Sequence, residues 1–144
     1  MRPLVPGDAE TLLGSWRSAR ERRDVEAMLA LYAETAEYRP DPFAPPLNEA
    51  LAIRAYWNES ALTQLHVAWD AERSWVSGQT ILASWHGAHS MRATGARIRQ
   101  RGFSVFEVDD EGLILRQRDW TLAREVGEDS TFRPEPVTDE PARD

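Results

Sequence analysis

The sequence predicts an α+β domain, with three N-terminal helices packed on a strongly curved antiparallel sheet. Apolar residues recur at helical spacing only ahead of His66, and long alternating runs broken by short turn signals fill the chain after it. Because the helices come first and the strands follow, the helices gather on one face of the sheet.

Asp8 is placed to cap a first helix from about Ala9, with Leu12, Leu13, Trp16 and Ala19 on one face. The polar run Arg20, Glu21, Arg22, Arg23, Asp24 connects it to a second helix over residues 25–33. The alternation Ala36, Glu37, Tyr38, Arg39 is a short strand, and Pro40 and Pro42 after it hold Asp41 in extended or turn geometry. Asn48 or Glu49 opens a third helix carrying Leu51, Ile53, Tyr56 and Trp57. Four strands follow over residues 66–76, 80–92, 97–108 and 113–124, separated by Ser77-Gly78, Thr94-Gly95 and Asp109-Asp110-Glu111-Gly112. In the first of them Val67, Trp69, Ala71, Arg73 and Trp75 share one side. Residues 127–144 are too polar and proline-rich to bury much and form an acidic, flexible tail, which leaves residues 1–126 as one domain.

A chain of 144 residues can bury a core without covalent staples. It has no cysteine, so disulfides, thiolate metal sites and cysteine nucleophiles are excluded. The net charge is −7, and residues 125–144 hold seven acids against two arginines, so the body is nearly neutral and has no basic field for nucleic acid. No apolar run reaches signal-peptide or membrane-span length, and the expectation is a soluble, cytoplasmic protein. His86 and His89, three apart on a strand, point to opposite faces, so neither a metal site nor a cofactor is expected there. His66 and His86 stand as acid/base candidates or as ordinary strand residues.

The candidate site rests on two carboxylates. Asp41, between a strand and the next helix, sits where a pocket mouth is common, although an aspartate beside proline also serves as a plain turn residue. Asp119 enters through the last hairpin. A four-residue turn over 109–112 pairs Val108 with Leu113, Phe106 with Leu115, Ser104 with Gln117, Gly102 with Asp119 and Gln100 with Thr121. That face grades from apolar to polar, which suits either a cavity with space beside Asp119 or a solvated outer surface. Trp16, Tyr38, Tyr56 and Trp57 are candidates for the apolar wall, and each also reads as a core residue. The opposite face carries Arg99, Arg101, Phe103, Val105, Arg116, Arg118 and Trp120, with Arg101 opposite Trp120, and suits an oligomer interface or a surface for an anionic ligand.

Trp16, Asp24, Leu29-Ala-Leu-Tyr-Ala33, Asp41-Pro-Phe43, Ala52-Ile-Arg-Ala-Tyr-Trp57 and Phe106-Glu-Val-Asp-Asp-Glu-Gly-Leu-Ile114 together resemble the nuclear transport factor 2-like superfamily. That group includes ketosteroid isomerase, SnoaL-type polyketide cyclases, limonene epoxide hydrolase and scytalone dehydratase. The resemblance implies a curved sheet around a cone-shaped pocket, a homodimer, and a small-molecule ligand that is apolar and oxygen-bearing. It further implies cofactor-free isomerisation, cyclisation or hydrolysis with Asp41 or Asp119 as acid or base, or else a non-catalytic ligand-binding or structural dimer. Asp41-Pro42-Phe43 is similar to the segment carrying the general base of ketosteroid isomerase, whereas that enzyme's tyrosine and protonated aspartic acid correspond to Trp16 and Ser104. Arg118-Asp119-Trp120 resembles the closing acidic segment of the hydrolases and cyclases. The hydrolase arginine and second aspartate would need Arg-x-Asp, and this chain has Arg99-Gln100-Arg101.

Overall fold

A computed structural model of the chain describes residues 2–126, so the expected tail lies outside the described residues. The elements run α1 (Pro6–Arg22), α2 (Val25–Leu29), β1 (Tyr32–Arg39), α3 (Ala50–Thr63), β2 (Gln64–Ser77), β3 (Thr80–Met91), β4 (Arg97–Val108) and β5 (Ile114–Val126). The helices cover one face of a curled, five-stranded sheet of order β1-β5-β4-β3-β2. The four-strand antiparallel meander is as expected, and β1 joins its edge parallel to β5, which makes the sheet mixed.

Three local features correct the sequence expectations. Helix α1 starts earlier than Ala9, because Pro6 fits a first turn whose N–H groups lack partners anyway. Asp8 lies inside that turn, and its carboxylate accepts from the Val5 N–H at 2.8 Å. Helix α2 is a single short segment capped by Asp24, which accepts from the Ala27 N–H at 3.1 Å, and the strand expected at Ala36 already begins at Tyr32. In β2 a bulge between Ala71 and Arg73 breaks the single face drawn for Val67 to Trp75, so Trp69 is core while Trp75 is 44% exposed.

The last hairpin decides where the site lies. Asp109 Oδ1 accepts from the N–H groups of both Glu111 and Leu113, and Asp109 N donates to the Leu113 carbonyl at 2.9 Å. The turn therefore absorbs Leu113, and Val108 pairs with Ile114. A bulge then places Arg116 opposite Glu107, leaving Leu115 as the extra residue. The expected register is corrected by two positions: Phe106 faces Gln117, Ser104 faces Asp119, Gly102 faces Thr121 and Phe103 faces Trp120. An even shift keeps every side chain beyond the bulge on its expected face, so the Ser104, Phe106, Gln117 and Asp119 set survives.

Beneath the helices, Leu12, Leu13, Trp16, Met28, Tyr32, Tyr38, Ile53, Trp57, Trp69, Ile81, Trp85, Phe106, Val108 and Ile114 form one buried cluster. Apolar area removed from water is the main stabilising contribution here, and the aromatics supply most of it.

Candidate functional site

Asp119 is 8% exposed on the helix-facing side of β5 and is surrounded by side-chain donors. Tyr38 Oη, from β1, donates to Oδ2 at 2.5 Å, and Ser104 Oγ, from β4, donates to Oδ1 at 2.6 Å. Gln117 Nε2 donates to the same Oδ1 at 3.2 Å. Two of the three donors are oriented by a further group: Trp85 Nε1 donates to Ser104 Oγ at 2.8 Å, and Tyr32 Oη donates to Gln117 Oε1 at 2.5 Å. Trp57 Nε1 in turn donates to Tyr32 Oη at 3.4 Å. A buried polar network is stable when its members are satisfied, and this one converges on a single carboxyl group.

Burial pushes the Asp119 carboxyl above its ordinary range, while hydrogen bonds from Ser104, Tyr38 and Gln117 and the field of Arg20 pull it back. Burial likewise holds the phenols of Tyr32 and Tyr38 well above the usual tyrosine value, so both stay neutral donors. Should Asp119 take up a proton, the Tyr38 hydroxyl can turn and accept from it, because a hydroxyl both donates and accepts. The pair can thus hold or release one proton inside an apolar shell.

The other expected residues separate into those that join this cluster and those that do not. Trp16 packs edge-on against Tyr32, Trp57 and Phe106, with ring centroids 6.3, 5.4 and 5.9 Å away, as a wall residue does. Trp57 stacks on Tyr38 at 5.5 Å, and Tyr56, 38% exposed, stands edge-on to both, so it forms the rim nearest solvent. Gln100 keeps the inner face but lies four residues before Ser104, about 13 Å along the strand at the usual rise. The space expected beside Asp119 at Gly102 is taken: a Cβ there would meet the Trp85 indole at 2.2 Å, so glycine is what lets that ring lie flat on the sheet.

Asp41 stands apart from the cluster. It is exposed, and its Oδ1 accepts from the Phe43 N–H at 2.9 Å, the geometry of a turn-holding aspartate. It borders an open groove of about 630 Å³ on the other side of the sheet, with Phe43, Phe103, Trp120 and Leu122. On that outer face Arg101 pairs with Leu122 across the strands rather than with Trp120, and its guanidinium bonds Glu72, which also lies 3.4 Å from His86 Nε2. His66 is exposed at a left-handed backbone position, φ 54°.

Two residues that the sequence pattern does not mark, Arg20 and His89, also reach this interior. Arg20 follows Trp16 by one turn of α1, and its guanidinium lies 5.2 Å from the centre of the Trp57 ring. Burial lowers its pKa, while Tyr38, Tyr56, Asp119 and Tyr32 act in the opposite sense. His89, 4% exposed, is driven down to about 4 by burial and then by Arg20. The spacing of four from Trp16 could have revealed Arg20, but it opens a polar run that looks like a solvated connection.

The chain matches the SnoaL-like domain over residues 14–117. Among proteins with curated functions, none matches it. Solved structures share the fold. SalBIII, described as an epoxide hydrolase/cyclase-like enzyme in pyran ring formation in the polyether salinomycin, is 15% identical, with a TM-score of 0.72 over 81% of this chain and 92% of its own. An LEH-like epoxide hydrolase of M. tuberculosis is 18% identical, with a TM-score of 0.68 over 81% of this chain and 84% of its own. TsrD from Streptomyces laurentii is 17% identical, with a TM-score of 0.69 over 82% and 90% respectively. The helices on a curled sheet and the match across most of the domain agree, and this chain belongs to the SnoaL-like domain family.

Proposed function

We propose that the protein binds a small, largely apolar, oxygen-bearing molecule and, without a cofactor, transfers a proton to or from it at Asp119. The observation that carries this reading is a carboxyl group buried among aromatics, raised in pKa, and held by Tyr38, Ser104 and Gln117. A carboxyl whose pKa moves toward the working pH serves better as general acid than an exposed one. In its protonated form Asp119 would deliver a proton to an epoxide or carbonyl oxygen, and in its ionised form it would withdraw one from water or from carbon. Asp41, exposed and engaged with its own turn, has no part in this step. Structural relatives described as epoxide hydrolase or cyclase-like make epoxide opening the first reaction to try.

The test is a panel of cyclic and aryl-substituted epoxides, with diol and rearranged products quantified for wild type and Asp119→Asn. A general acid or base contributes about 10²–10⁴-fold, so the variant should lose at least two orders of magnitude. Equal product from wild type, variant and buffer on every substrate would end the catalytic reading. The mutual packing of Trp16, Tyr32, Trp57 and Phe106 favours a second reading, a ligand-binding domain without turnover, for which the same panel gives binding and no product. We further propose that two copies associate through the outer sheet face, where Trp75, Trp120 and Leu122 are 44%, 42% and 78% exposed beside Phe103.

A further inference from the structure

Among the described residues, the helix-facing interior holds one arginine, Arg20, whose guanidinium makes no ion pair and no hydrogen bond. Neighbouring arginines are occupied: Arg17 pairs with Glu21 and Asp70, Arg22 with Asp24 and Arg54 with Glu26, while Arg23 donates to the Ala61 and Gln64 carbonyls. The Arg20 guanidinium instead lies over the ring of Trp57. The carboxyl group that acts on it, Asp119, already accepts from three side chains, and burial raises its pKa above the ordinary range. The other groups acting on it are the phenols of Tyr32, Tyr38 and Tyr56, all neutral. His89 feels Arg20 as well, and its Nδ1 is buried without a hydrogen-bond partner.

A partly buried cation left unpaired is costly, and a guanidinium fork is shaped for two parallel hydrogen bonds to a carboxylate. The Trp57 ring lies 5.2 Å from the guanidinium, and Tyr56, 38% exposed, marks the side from which a ligand can arrive. Resting on the reading of this interior as a binding site, we propose that Arg20 anchors an anionic ligand: a small carboxylic acid with an apolar or aromatic body. Its carboxylate takes the guanidinium near Tyr56 and His89, and its body lies against the aromatic wall toward Asp119. The reacting oxygen or carbon is then a second functional group of the same acid.

The experiment titrates benzoate, phenylacetate and 3-phenylpropionate, and their primary amides, into the full chain at neutral pH, followed by NMR of the indole and imidazole signals. The acids should bind at millimolar concentration or below and the amides at least about tenfold more weakly, a tenfold difference being about 1.4 kcal/mol. Arg20→Gln should lose the preference for acids, Arg20→Lys should keep it with weaker binding, and Asp119→Asn should leave it intact. Bound carboxylate neutralises Arg20, so His89 should titrate at higher pH in the complex. Acids and amides binding alike, preference retained in Arg20→Gln, or no acid bound at millimolar concentration would each overturn the proposal. If Arg20→Gln does not fold, Arg20→Lys decides through its weakened but acid-selective binding. Acid binding with no Asp119-dependent turnover removes the catalytic reading alone, whereas epoxide turnover without acid preference removes the Arg20 anchor alone.

Discussion

His89 should make this protein lose stability on mild acidification. Its pKa in the folded chain is about 4, lowered first by burial and then by Arg20, against an ordinary value near 6.5. Because the folded value is depressed, the unfolded chain takes up the proton first. The contribution of neutral His89 is whole above about pH 6.5 and drains away as the pH falls toward 4. At about 1.36 kcal/mol per unit, acidification to pH 5 should remove roughly 2 kcal/mol. Asp119 works in the opposite direction, so the comparison must hold it constant, and His89→Gln does so. Urea unfolding of wild type and His89→Gln at a series of pH values between 7.5 and 5 gives the difference directly. The two should be similar at pH 7.5, where the Nδ1 acceptor makes no bond to lose, and the wild type should fall behind as the pH drops. Imidazole signals followed by NMR should show one histidine titrating near 4. A His89 that titrates near 6.5, or a difference between the two proteins that is flat with pH, would refute the placement of His89 in a dry interior beside Arg20.

Other outcomes follow from the same geometry. Asp119→Asn sets an amide N–H₂ against donors that now converge on oxygen, which should cost about 1–3 kcal/mol near pH 4. A raised folded pKa means that the wild type's proton-linked advantage is full below about 3.9 and fades as pH rises through the folded value, so the gap should narrow toward neutrality, and widening would contradict a raised pKa. Gly102→Ala drives a Cβ into the Trp85 ring and should destabilise by about 1–3 kcal/mol in urea while shifting tryptophan fluorescence; a neutral result would mean that Trp85 does not lie on Gly102. Trp120→Glu should give monomers by light scattering, and a wild type already monomeric at micromolar concentration would remove the proposed dimer.

Periodicity alone was enough for the meander. The span of β4 is as expected because alternation from Arg97 to Val108 ends at a turn whose Asp109 and Gly112 have no better use. The inward set Ser104, Phe106, Gln117 and Asp119 was also legible, and it survived a misplaced register because strand faces depend only on odd or even position. What no local pattern contains is the length absorbed by a turn. Asp109 captures two backbone N–H groups, including that of Leu113, and that capture together with the bulge at Leu115 moves Asp119 from Gly102 to Ser104.

Tertiary structure alone settled which carboxylate is buried. Asp41 follows β1 in a turn and Asp119 lies within β5, and the difference in their burial comes from what other elements bring. Tyr38 arrives on the parallel edge strand β1, 81 residues away in sequence, and Trp57 and Arg20 arrive on two separate helices. Within a polar run charge normally faces water, and only the meeting of Arg20 from α1 with Trp57 from α3 places its guanidinium beside that ring. Spacing along one element fixes the direction of a side chain, but its dielectric surroundings, and hence its proton affinity, depend on segments that are distant in sequence and meet only in the fold.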